Sequence, residues 1–196
     1  MKRYRLSRDF DVTKGSYGAS QMWYPGSRQI KTGCGPAALA NLFAWHSGLS
    51  LEKEEMTDLM LEVLRDLKGP VVHPLAFIRG ARRLFSARGW DLEASYVLFL
   101  RLTAAKREAT IGLIRESLAE DRPVPLLMGP NRRQSGSYRS EFHNHWVIIT
   151  AMALDEETVT LEVSSWGRSF EVDLDQLAAS KRLLSVLSLR PIRKTR

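Results

Sequence analysis

The chain has 196 residues, 44% of them hydrophobic and 26% charged, with 29 Lys and Arg against 22 Asp and Glu and a formal net charge of +7. That length and balance fit one ordinary globular domain able to bury roughly 70% of its unfolded surface, and they exclude a largely disordered chain. A single cysteine, Cys34, excludes a disulfide scaffold, and no apolar run approaches the ~20 residues of a membrane span.

Basic residues open the chain, but no apolar stretch follows them, so no secretory leader is expected and the expected location is the cytoplasm. The remaining positive charge is scattered over Lys2 to Arg8, Arg79 to Arg88, Arg132 to Arg139 and Lys181 to Arg196. Charge spread in this way reads as a solvated surface, not as one face for nucleic acid.

Residues 1–33 are polar and turn-rich and read as an irregular lead-in with room for a short strand. Residues 35–47 are apolar nearly all round, which predicts a buried helix with Pro36 in its first turn and Gly48 just past its end. A second helix is expected from a Ser50 cap to about Lys68, stopped by Gly69, with Met56, Leu59, Met60, Val63 and Leu67 as its inner stripe. Pro74 opens a third, with Leu75, Ile78, Ala81, Leu84 and Phe85 inward, His73 at its mouth and Gly89 at its end. Residues 106–120 read as a fourth.

After Asp121 the pattern changes. Residues 123–128 and 145–151 are short apolar runs, Val159, Leu161 and Val163 alternate with polar residues, and 169–172 and 183–189 are further strand candidates. A long polar loop, 129–144, separates the first two. Helices first and strands second predict an α+β fold with a helical half at about 34–120 and an antiparallel sheet half at about 121–190, in one domain spanning 1–196.

The chemistry centres on Thr32-Gly-Cys-Gly-Pro-Ala-Ala38. Cys34 lies at the mouth of the buried helix, where the positive end of the helix dipole favours a thiolate. The glycines on either side would let a substrate approach the backbone closely. A thiol nucleophile needs a base, and there are four histidines. His46 is at the far end of the same helix, where a cation suits the dipole, and His73 opens another helix. That leaves His143, in the loop, and His145, which starts a strand and would be held rigidly.

Cys-Gly-Pro-Ala-Ala-Leu-Ala-Asn-Leu at 34–42 and His-Trp-Val-Ile-Ile-Thr at 145–150, with the apolar run 122–128 between them, resemble the papain-like cysteine peptidases. The likeness is to the bacteriocin-processing, double-glycine peptidase-like branch, and it spans about residues 17–175. Ser164-Ser-Trp-Gly167 is similar to the Asn-Ser-Trp-Gly or Asp-Pro-Trp-Gly of such enzymes. The resemblance implies a nucleophile helix packed on a C-terminal antiparallel sheet, with Cys34 as nucleophile and His145 as base. It implies Ser164, or less readily Ser165, in the place of the orienting Asn or Asp, and an upstream glutamine as oxyanion donor, with Gln21 preferred over Gln29. The reaction implied is hydrolysis of a peptide or other amide, with no cofactor and no metal. Acyl transfer of the transglutaminase type, and a catalytically degenerate peptide-binding protein, are the alternatives.

Overall fold

The computed structural model describes residues 1–67, 71–132 and 142–194. Its elements, in chain order, are β1 (Lys2–Arg5), α1 (Ser27–Thr32), α2 (Cys34–His46), α3 (Lys53–Leu67), α4 (Pro74–Ser86), β2 (Trp90–Phe99), α5 (Ala104–Ala119), β3 (Val124–Met128), β4 (His145–Leu154), β5 (Val159–Ser165), β6 (Arg168–Asp173), α6 (Leu174–Ser180) and β7 (Leu184–Arg193); a short 3-10 turn, Gln21–Trp23, precedes α1. This is an α+β arrangement around a seven-stranded antiparallel sheet of order β2-β7-β3-β4-β5-β6. β1 takes the edge of β4 where β3 stops: β3 pairs with residues 145–149, and β1 with 151–154.

Helix α2 is buried from Gly35 to Trp45, as an apolar surface on every side requires. It ends at His46, and two residues on Gly48 turns the chain away with a φ of +67°, the left-handed conformation a glycine adopts without strain. It packs against α3, α4 and β4. His73 caps α4, its Nδ1 accepting the Leu75 N–H. A continuous cluster of buried apolar side chains runs from Leu6 to Leu189.

Two expectations need correction. The sheet is not confined to residues after 121, because β1 and β2 come from the N-terminal half. Ser50 does not cap α3: its Oγ donates to the Asp11 carbonyl, and the helix starts behind Glu52, whose N–H donates to the Glu55 carboxylate. Helix α6 fills the stretch left unassigned between the strand candidates 169–172 and 183–189, with Asp173 accepting the Gln176 N–H at its start. Gly69, the expected stop of α3, and 133–141 of the 129–144 loop lie outside the described residues. Among the described residues no helix is long and apolar enough to cross a membrane.

Candidate active site

Cys34 is the first residue of α2, so the N-terminal N–H groups of a buried helix surround its thiol. Gly33 and Gly35 serve the packing here. A Cβ on Gly33 would lie 2.2 Å from the Tyr24 ring and 2.5 Å from the Gln29 carbonyl oxygen, and one on Gly35 would lie 2.9 Å from Val71 and 3.3 Å from Trp146. The close approach expected of a substrate is made by the protein itself, and it fixes where Cys34 sits.

His145 opens β4 immediately after Asn144, whose φ of 49° bends the chain sharply into the strand; asparagine tolerates that conformation. The bend turns the Asn144 carbonyl toward Cys34, with Sγ 3.9 Å from its oxygen. The N–H groups of Trp146, Gly35 and Cys34 itself also bear on the sulfur. The thiol thus rests against the backbone on both sides of His145. Among the described residues no hydrogen bond joins the thiol to the imidazole.

The imidazole pairs with Ser165, its Nε2 lying 2.7 Å from Oγ. Ser164, the residue expected there, donates instead to the Tyr17 carbonyl at 2.7 Å. Sheet register explains the difference. Ile148 stands opposite Ser164, which puts Ser164 on the Trp146/Ile148 face and Ser165 on the His145/Val147 face, because a shift of one residue turns a side chain to the other side of the sheet. The two serines should therefore fail differently when truncated. Ser164→Ala strands a carbonyl and should lower stability by about 1–3 kcal/mol. Ser165→Ala leaves the buried imidazole Nε2 without its partner, so it should lower stability by a similar amount and, unlike Ser164→Ala, also slow any His145-dependent reaction two- to tenfold, as a neutral hydrogen bond of about 0.5–1.5 kcal/mol implies. Thermal melts and one rate assay on both variants check this.

Aromatic rings cover the imidazole. Trp166 stacks on it at 4.7 Å and Phe142 at 5.6 Å, and these two rings stack on each other at 5.1 Å. Trp166 and Gly167 form the two-residue β5–β6 turn with φ values of 50° and 75°, the signs of a hairpin turn matched to strand twist. A tryptophan in this region is strained, and its stacking on His145 and Phe142 opposes that strain. In the sequence Trp166 stands out only as part of the Ser164-Ser-Trp-Gly167 motif, and Phe142 belongs to no motif. A bulky residue before Gly167 in a two-residue turn was the available signal.

Gln21 lines the same cavity as Cys34, Asn41, His145, Ser164 and Ser165. Its side-chain N–H donates to the Ile30 carbonyl at 2.6 Å, so in this conformation the amide is engaged by the end of α1. Gln29, the alternative, accepts the Gly26 N–H and closes the start of α1. The cavity is tight, with room for about one water molecule. Among the described residues no group of three or more His, Cys, Asp or Glu side chains is gathered as a metal site.

Burial controls the charges. It pushes the Cys34 thiol above its ordinary range, against the opposing pull of the backbone N–H groups. It pushes the His145 imidazole down to about 4, and the positive charge of Lys181 adds to that. Both groups are therefore neutral at pH 7. This reverses the thiolate expected from the helix dipole, because desolvation of a buried charge outweighs half a unit charge at a helix end. The rate of Cys34 alkylation by iodoacetamide should accordingly keep rising beyond the ordinary thiol value of about 8.5. A plateau already reached at pH 5–6 would instead indicate a preformed thiolate–imidazolium pair.

No protein-family model matches the chain, and no curated protein matches it.

Proposed function

We propose that the chain is a papain-like thiol hydrolase acting on peptide or other amide bonds, with Cys34 as nucleophile, His145 as base and Ser165 as the group that orients the base. The observation that carries the reading is the thiol of a buried helix's first residue seated against the backbone of Asn144 and Trp146, the residues on either side of the one that bears the imidazole. Ser165 engages Nε2, which leaves Nδ1 as the ring nitrogen to take the thiol proton when Nε2–H donates to Oγ. Sγ attacks the amide carbon, the proton passes through His145 to the departing amine, and water then releases the acyl group from sulfur. The Cys34 N–H at the start of α2 is a donor for the developing oxyanion. Gln21 joins it only after leaving the Ile30 carbonyl.

That engagement of Gln21, together with the neutral thiol, favours one other reading: a papain-like protein that binds a peptide without cutting it. Incubating the wild type and Cys34→Ala with a complex peptide mixture, and reading new termini by mass spectrometry, separates the two. The hydrolase produces cuts that vanish in Cys34→Ala. The binding protein produces none.

A further inference from the structure

Lys181 is 1% exposed. A lysine is almost never buried this deeply unless its charge is paired, yet among the described residues no carboxylate meets it. Its ammonium donates to the Asn131 side-chain oxygen and the Phe142 carbonyl. Asn131 and Phe142 stand on the two arms that leave β3 and arrive at β4. The backbone around Lys181 closes the same junction: Arg132 Nε donates to the Lys181 carbonyl, the Arg182 N–H to Pro130, and the Gly129 N–H to Leu183.

Phe142 is the ring stacked on both His145 and Trp166. We infer that Lys181 is a positioning residue for His145: it fastens Asn131 to Phe142, and so holds the aromatic cover on the imidazole and keeps a positive charge near it. Three of the groups around the imidazole can carry charge. Lys181 acts from the α6–β7 junction, Cys34 shares the cavity from α2, and His143 lies on the arm with Nδ1 turned to the Asn131 N–H. Burial lowers Lys181 to about 8, so it remains mostly a cation at pH 7, and it disfavours a second cation on His145.

The inference rests on the proposed role of His145, but its test is read on the imidazole without substrate. The His145 ring is followed by NMR titration in the wild type, Lys181→Met and Asn131→Asp. Lys181→Met removes the fastening and the charge: the titration should move up toward the ordinary ~6.5, and the ring-proton shifts imposed by Phe142 and Trp166 should change. Asn131→Asp keeps the fastening and cancels the charge: the titration should move up while the ring-proton shifts stay. An unchanged titration in Asn131→Asp overturns the electrostatic part, whether or not Lys181→Met folds. Ring-proton shifts in folded Lys181→Met that match the wild type overturn the positioning part. Loss of hydrolysis plays no part in either readout, so a failure of the hydrolase reading would be seen separately, in the Cys34→Ala comparison.

Discussion

Cys34→Ala is expected to abolish amide hydrolysis, and His145→Ala to lower it by about 10²–10⁴, the usual worth of a positioned base. Neither change should unfold the protein. Cys34 is half-buried at a helix start where alanine fits, and the fold around His145 is secured by β3–β4 pairing through Met128 and His145. The two losses should not add, because nucleophile and base act as a unit. A double variant should therefore be no worse than Cys34→Ala. With a neutral pair at rest, activity should rise with pH as the imidazole loses its proton near 4, and stay high through neutrality. Hydrolysis by Cys34→Ala at the wild-type rate would remove the nucleophile assignment.

Acid should weaken the fold well before the carboxylates titrate. Burial lowers His46 to about 4, with Arg122 adding to the shift and Asp121 opposing it, and His145 is lowered to about 4 as well. In the unfolded chain an imidazole protonates near 6.5. Between about 6.5 and 4 the unfolded state thus binds protons that the folded state refuses. The stabilisation is complete above about 6.5, is lost progressively as pH falls, and is gone by about 4. Each histidine carries on the order of 3 kcal/mol across that window, large beside a typical domain stability of about 5–15 kcal/mol. His46 Nε2 is buried and has no hydrogen-bond partner among the described residues, and its ring meets Phe85 edge-on at 6.0 Å. His46→Phe should therefore fold and melt with a clearly shallower dependence on pH between 6.5 and 4.5. A melting temperature that is flat over this range in the wild type would contradict both assignments. The reading of His46 as a cation suited to the end of α2 is replaced: burial outweighs a dipole worth about 0.3–1 kcal/mol.

Elements with strong local signals were legible in the sequence. The all-apolar run of α2, the His73–Pro74 opening of α4 and the alternation of β5 are each dictated within a few residues. Strand β2 carried such a signal too, but a helical half at 34–120 left no place for it: Trp90, Leu92 and Ala94 alternate with Asp91, Glu93 and Ser95, and its half-buried residues follow that alternation. Strand β1 did not: Lys-Arg-Tyr-Arg is a strand only because the β4 edge beyond β3 is open to it. The same division holds at the site. Cys34, His145 and Gln21 come together on one cavity, but the choice between two adjacent serines depends on the register of β4 against β5, which no local pattern encodes. Lys181, on the surface by any composition rule, is buried by contacts from segments about 40–50 residues away.

His145 is proposed to activate Cys34 toward an amide-like electrophile. This activation is tested most directly by the rate at which a peptidyl electrophile, such as a peptide vinyl sulfone, labels Cys34, followed by intact-mass spectrometry in the wild type and His145→Ala at pH 7. Iodoacetamide serves as the control that reports only the bare thiol. One adduct per chain is expected at Cys34, formed at least ~10²-fold more slowly without the imidazole, while the iodoacetamide rates differ little. Equal labelling of the two proteins by the peptidyl electrophile would contradict that activation.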